Sequence, residues 1–524
     1  MGAAVPWYGW CHAGDSPGPR SRSRTPNMSE ARAVLKHSRI YAAAAVLNRA
    51  AAFLIIPIHT RYLPESDYGT IGVITVVSEV VGAMFGLKLG AAMSRMYFDY
   101  QDAAERDSVV TSAILGAFMI VGFILGPLVL LSEPIAKLIL GVDGLGGVLL
   151  LGVAGLLLNT IFNLGLQYFL IRQRSGLFLV AGTVRSILYI AAAFLFVAFL
   201  GMGLKGAILG IFAANAVAAA GVVVPLLWKL GLRYSWTKVR DTLRFGAPLI
   251  PGQVAEIGAS FTERYLIVHM ASLAAAGVYF LAMRLASVIN ALIIGPFNRI
   301  YVVRRFEAYG AGTEDGDSSR VFTYFFIVVT WIALGLAVLA REVVAIAAHG
   351  RYQGAVEVIP LACLTQVLVS VLIIAELGIY YAKIPRHLTT ANIATLVVQL
   401  GLNLLLIPDF GTRGAVTALT VATAFRLALT VYLARGLGGP RIEWPSLAGI
   451  IVGAAGVFAI CAALDLREGW LSTLAKVVLL GLYPLAVFAS PLLTGEERRA
   501  LMRLLTSRWN RLARASMKGG SVEP

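Results

Sequence analysis

Residues 203–207 read GLKGA and residues 411–415 read GTRGA, 208 positions apart, and each motif joins two long apolar runs through a short connection. The same offset relates Gly69 to Gly277, each at the start of an apolar run. A third correspondence, a few residues out of step, links LGLQYFLIR (164–172) with LGIYYAKIPR (377–386). Self-similarity at one long offset is the mark of an internal duplication. Counting outward from the two motifs gives six apolar runs in each copy. The spacing therefore predicts two parallel six-helix repeats, which place a path between two bundles.

Apolar runs bounded by Gly, Pro or charge put helices near 40–59, 69–94, 109–131, 146–167, 177–200, 206–228, 247–268, 273–297, 321–340, 357–381, 388–407, 414–434, 446–464 and 472–493. Hydrophobic residues make up 58% of the 524 and charged ones 14%. A soluble domain has roughly 45–50% and 25%, so no water-soluble core accounts for this chain. The expected fold class is an all-α integral membrane protein of about 14 transmembrane helices at roughly 20 residues each. Two parallel six-helix repeats form two lobes around a central cavity, and two C-terminal helices are an addition. The boundaries expected are a cytoplasmic N-terminal segment at 1–38, an N-lobe at 39–230, a C-lobe at 231–436, the added helices at 437–495 and a basic tail at 496–524.

The net charge of +16 suggests nucleic acid in a soluble protein. Here its distribution points to topology instead. With the N-terminus inside, the cytoplasmic segments hold about 30 Lys and Arg and the outer loops about 7, which predicts both termini in the cytoplasm and a plasma-membrane location. The tail GEERRALMRLLTSRWNRLARASMK alternates Arg with Leu, Met and Trp at helical spacing, the pattern of a segment lying on anionic lipid of the inner leaflet. Residues 1–27 are rich in Gly, Pro, Ser and Arg without the apolar run of a signal peptide, and are expected to be disordered. The stretches EPIAKLILG (133–141) and EVVAIAAHG (342–350) are too short to span and are expected at the outer interface. No nucleic-acid partner is expected.

Cys11, Cys363 and Cys461 are too scattered for a disulfide framework, and the six histidines show no ligand spacing. No Walker loop and no GxSxG occurs, so the sequence predicts no catalytic residues, no metal and no cofactor. The outer loops are too short to carry the extracytoplasmic platform of a polymerase or ligase. The chain reads as a non-enzyme.

Chemistry concentrates inside the spans. Arg49, Lys88, Arg185, Arg264, Arg284, Arg426 and Lys476 fall within them, with Glu79, Glu256, Glu263 and Glu376. A mid-bilayer charge costs about 2.5–3.5 kcal/mol on the lenient scale, so such groups face a polar cavity or pair inside the bundle. Lys88 and Lys476 sit where they can snorkel, and Arg264 lies near an outer end. Polar stripes at helical spacing accompany the charges: Thr75 and Glu79; Asn159, Asn163 and Gln167; Gln253, Glu256, Ser260 and Glu263; Asn392, Thr395, Gln399 and Asn403; Thr423, Arg426 and Thr430. Interhelical hydrogen bonding explains any one stripe, whereas five in both halves favour a shared lumen. Glu79 and Glu256, mid-span in opposite halves, are the candidates for coupling an ion, H⁺ or Na⁺.

TRYLPESDYG (60–69), RFGAPLIPG (244–252), SFTERYLI (260–267) and LLLIPDFGTRGA (404–415), in this order over about residues 38 to 500, resemble the polysaccharide flippase branch of the multidrug/oligosaccharidyl-lipid/polysaccharide exporter superfamily. Where relatives often carry Asp-Arg late in helix 7, this chain has Glu263-Arg264, which keeps the charges and lengthens the acid. The resemblance implies translocation of a polyprenyl-pyrophosphate-linked oligosaccharide from the inner to the outer leaflet by alternating access, with polysaccharide polymerase and chain-length proteins as partners. Arg49, Arg284, Arg426 and Arg185 are then the candidates for the pyrophosphate, since guanidinium offers bidentate hydrogen bonds to phosphate. Gln253, Ser260, Asn159, Asn163 and Gln399 are the candidates for sugar hydroxyls. A multidrug or metabolite antiporter of the same superfamily is the alternative, and a polytopic polymerase or ligase a more distant one. The interior count of seven cations against four carboxylates speaks against a cation exporter.

Overall fold

A computed structural model describes residues 53–85, 89–246, 250–311, 317–348, 351–440, 442–463 and 470–489. The expectations for Arg49, Lys88, the segment 1–38 and the tail 496–524 fall outside these residues, as do the side chains of Gln253 and Glu256. The described chain is helical throughout, as hydrocarbon requires of a backbone that must satisfy its own hydrogen bonds. The first helix, α1, is seen over 53–62. There follow α2 Glu65–Phe85, α3 Leu89–Asp99, α4 Ala103–Leu140, α5 Gly146–Ile171, α6 Ser175–Ala193, α7 Gly203–Leu230, α8 Trp236–Gly246 and α9 Ile250–Met270. The remainder are α10 Leu273–Ile289, α11 Gly295–Ala311, α12 Asp317–Val338, α13 Ala340–Ala348, α14 Gly354–Ala375, α15 Leu377–Tyr381, α16 Pro385–Leu433, α17 Trp444–Ala463 and α18 Trp470–Ala489. Nine spans among the described residues are long and apolar enough to cross a bilayer.

Local chemistry sets the ends of these helices. Asp102 caps α4 by accepting from the Glu105 N–H, and Gly141 closes it in the left-handed region at φ 69°. Ser272 caps α10 by accepting from Ala275 N–H at 3.0 Å. The range of α16 holds the two helices expected near 388–407 and 414–434: Gly411, with φ 53° and ψ −126°, breaks the helix, and the chain folds back so that a Cβ on Gly414 would lie 2.2 Å from the Leu406 carbonyl oxygen.

One sequence expectation is corrected here and two regions gain detail. The stretch 133–141 is helical and continuous with α4, which runs through Pro134 to Leu140 with Ala136 and Leu140 buried. Its end is held by Glu133, whose carboxylate accepts from the backbone N–H groups of Gly144 and of Gly146 (2.8 Å). The counterpart at 342–350 is distinct and forms α13. Between the helices expected near 206–228 and 247–268, the start of the expected C-lobe carries α8, which docks Val239 and Thr242 and buries the Lys238 ammonium against Glu105. Lys476 does not snorkel; it is buried and pairs with Glu342 at 2.6 Å, joining α18 to α13.

Early and late helices meet where α2 and α10 begin. A Cβ on Gly69 would lie 2.1 Å from the Leu273 carbonyl oxygen, and one on Gly277 would lie 1.9 Å from that of Glu65. The two glycines related by the sequence offset thus cross each other with no room for a side chain. Around them the Tyr352 hydroxyl donates to the carbonyls of Leu63 (3.1 Å) and Pro64 (3.2 Å), Thr60 donates to the Ala347 carbonyl, and Arg351 donates to that of Arg61 at 3.2 Å.

Gly69→Ala or Gly277→Ala should separate the helices and lower stability by about 1–3 kcal/mol, the usual cost of overpacking. Thermal unfolding in detergent checks this. The control, Gly221→Ala in α7, adds a methyl into open space and should be neutral or stabilising by about 0.5–1 kcal/mol.

Candidate functional site

Beneath the glycine crossing lies a cavity of about 230 Å³ between α1, α2, α5, α6, α7 and α10. Its polar lining is Arg185, Ser186 and Tyr189 of α6, Asn159 of α5, Asn215 of α7, Arg284 of α10, Thr75 of α2 and His59 of α1. Apolar positions such as Ile71, Ile211 and Phe280 close the gaps between them.

The two arginines are held differently. Arg185 donates to the Asn159 side-chain oxygen and lies over the Phe162 ring at 5.3 Å, leaving its Nε without a partner among the described residues. Arg284 has no hydrogen bond or ion pair to its guanidinium among the described residues, yet its charge acts on His59, Tyr68 and Tyr189 around the cavity wall. His59 is 2% exposed and its Nε2 also lacks a partner. Buried polar atoms are ordinarily hydrogen-bonded, so these orphans mark a place built to meet a polar group or water. Neither guanidinium has a hydrogen-bonded carboxylate among the described residues, so both bring positive charge to that place.

Both arginine helices depart from α geometry close by. α6 passes into a π-helical stretch at Phe194–Phe199, and α10 is joined to α11 by another at Asn290–Ile294. Single π turns inside helices recur at functional sites because they re-aim the flanking side chains.

Of the sequence candidates, Asn159, Arg185 and Arg284 come together here, and Thr75 of a predicted stripe joins them. Glu79 is exposed and lies within reach of the charges of Arg264 and Arg284. Asn163 and Ser260 are exposed and do not line the cavity, and Gln399 is buried elsewhere in α16. Arg426 is placed away from the cavity in an ion pair with Glu376 at 2.9 Å. In the Glu263-Arg264 pair the acid is buried and accepts from the Tyr279 hydroxyl at 2.6 Å, whereas Arg264 lies 6.0 Å over Phe280. Sequence reading passed over His59, Tyr189 and Asn215. His59 and Asn215 carried the same signal as the arginines, a lone polar residue inside an apolar run, but no periodic stripe.

Residues 58–305 match the model of a family described as polysaccharide biosynthesis protein. That span contains every polar residue lining the cavity, from His59 to Arg284. Among solved structures, one titled "Lipid II flippase MurJ, inward closed conformation" is similar with a TM-score of 0.70 and 12% identity, covering 86% of this chain and 98% of its own. An inward-facing multidrug resistance MATE family transporter of the MOP superfamily is similar with a TM-score of 0.62 and 14% identity, over 78% of this chain and 99% of its own. No curated protein sequence matches. The chain therefore has the multi-pass membrane fold of these transporters.

The Arg426–Glu376 pair and the cavity arginines should respond differently to removal. Arg426→Ala removes the arginine partner of a largely buried carboxylate and should cost less than the roughly 3–5 kcal/mol of a fully buried pair, since the Arg426 side chain is 32% exposed. Arg426→Ala/Glu376→Gln should recover most of it. Arg284→Ala should leave the melting temperature unchanged or raise it.

Proposed function

We propose that this chain is a flippase that carries a polyprenyl-diphosphate-linked oligosaccharide from the cytoplasmic to the outer leaflet for surface polysaccharide synthesis. The observation that carries this reading is the convergence of Arg185 and Arg284, without a carboxylate partner among the described residues, on one cavity that also presents Asn159, Asn215 and His59. A diphosphate cannot cross hydrocarbon unaccompanied. Two guanidinium forks in a closed cavity give it charge and directed hydrogen bonds, while amide side chains meet sugar hydroxyls.

In this reading helices α1–α7 form one lobe and α9–α16 the other, α17 and α18 are an addition, and the crossing of α2 with α10 closes the path on the outer side. Loading from the cytoplasmic side and release outward then alternate as that crossing forms and parts. Glu79, outside the cavity lining but within reach of the charges of Arg264 and Arg284, is the acid best placed to sense the charge that the substrate brings. A cavity lined by two arginines and, among the described residues, by no carboxylate suits an anionic cargo better than the export of cationic drugs.

Two experiments test it. Flipping of a lipid-linked oligosaccharide in vesicles should fail in Arg185→Ala and Arg284→Ala with the protein still inserted, and return in part in the Lys variants, which keep charge and lose the fork. Normal flipping by both Ala variants removes the cavity from the mechanism. For orientation, cysteines placed at Gly203 and Thr412 should react with an impermeant maleimide from outside the cell, and one at Ser175 should not; the reverse pattern would invert the topology.

A further inference from the structure

A second cavity, of about 680 Å³, lies at the seam between α12 and α14 and the last two helices, α17 and α18, with Arg341 of α13 at one end. On α12 its lining runs from Thr330 through Ala333 and Ala337 to Val338, and on α17 from Ile451 to Ala462, at spacings of three and four that keep each set on one face. Small residues ordinarily let membrane helices close on one another. Here other bonds fix the frame: Trp331 Nε1 donates to the Leu480 carbonyl at 2.9 Å, and Lys476 pairs with Glu342 at 2.6 Å. The alanines are left facing a slot.

α12 ends at Val338, α14 begins at Gly354, α17 ends at Ala463 and α18 begins at Trp470, so one end of the slot coincides with an end of the bundle. From Glu357 to Val367 on α14 it is about 15 Å deep, half the roughly 30 Å of a bilayer core. Its charged lining, Arg341, Glu357 and Lys476, lies toward that end, and because the acid is shared with Arg413 the mouth is net cationic. Lys476 is 9% exposed. About one turn further in, beside the Trp331 bond to Leu480, Thr330 is buried and its hydroxyl has no hydrogen-bond partner among the described residues. Buried hydroxyls are ordinarily bonded, so this one calls for an acceptor inside the slot. A cavity one leaflet deep, cationic at the interface, with one hydroxyl below the charge and apolar walls beyond, has the polarity profile of a glycerophospholipid: phosphodiester, ester carbonyl, acyl chain. An isoprenoid carries no oxygen below its phosphate and leaves Thr330 unmet.

We infer that this slot binds one phospholipid, with its phosphodiester between Arg341 and Lys476, an ester carbonyl on Thr330 and an acyl chain between α12, α14 and α17. The site stands independently of the flippase reading. α13, which carries Arg341, also accepts the Thr60 hydrogen bond beside the glycine crossing, so the bound lipid braces the segment against which that crossing forms. The test uses the full chain purified in a maltoside detergent, where no bulk phospholipid competes, irradiated with phosphatidylglycerol bearing a diazirine on its acyl chain. Label should fall on residues 360–367 and 451–458. Unlabelled phosphatidylglycerol should reduce it by about tenfold, equivalent to roughly 1.4 kcal/mol of preference, whereas diacylglycerol, which lacks the phosphate, and polyprenyl phosphate, which lacks the ester, should not. Thr330→Val keeps the side-chain shape and should weaken labelling by about fivefold, the worth of one hydrogen bond. Ala337→Phe and Ala455→Phe fill the slot and should abolish labelling, while Val452→Phe, at a position of α17 that is 70% exposed and outside the lining, should leave it unchanged. Equal displacement by diacylglycerol or by polyprenyl phosphate, or undiminished labelling in both filled variants, overturns the site.

Discussion

The crossing of α2 and α10 at Gly69 and Gly277 is the contact on which the arrangement depends. Neither helix has a hydrophobic incentive to leave lipid for the other, because lipid tails are as apolar as leucine. What holds them is backbone approaching backbone, possible only where both lack a Cβ, together with hydroxyl-to-carbonyl bonds from Tyr352 and Thr60 to the opposing segments. Carbonyls at such a crossing are otherwise satisfied within their own helices, so the contact can be exchanged for lipid or water at small cost. A seal made this way is tight without being adhesive.

Charge inside the bundle is treated in two ways. Lys476 with Glu342, and Arg426 with Glu376, are neutralised pairs that tie helices together. Arg185 and Arg284 are left with a net positive field, stabilised by an amide, an aromatic face and each helix's own environment. The gross insertion cost of about 3 kcal/mol per arginine is thus offset within the fold for the pairs, while for the cavity arginines it remains to be offset by water or an anion.

Much of this was legible in the sequence. Apolar runs between Gly, Pro and charges located the helices, because a membrane span needs length and apolarity more than periodicity. The 208-residue offset singled out Gly69 and Gly277 before their contact was known. Mid-span arginines were recognisable as costly, yet their fates were not: whether an arginine meets a carboxylate depends on which helices adjoin, and Glu376 meets Arg426 through packing that no spacing encodes. Lys476 looked able to snorkel because its stem is long, but Glu342 offers a nearer partner inside. α8 escaped notice because it is short and charged, and among its described residues Val239, Thr242, Leu243 and the Lys238 stem are what it turns inward.

The π turns at 194–199 and 290–294 carry a consequence for phase. Each admits one residue more than an α turn, and one residue is worth about 100° of rotation. The face that α10 turns to the cavity with Arg284 and the face that α11 presents with Arg299 and Arg304 are therefore uncoupled in azimuth, although they belong to one continuous rod. Helical-wheel logic holds on either side of the turn and fails across it. Moving the surplus residue one turn along the rod would swing the intervening side chains through that angle while leaving the axis in place, so the same helix carries two angular registers.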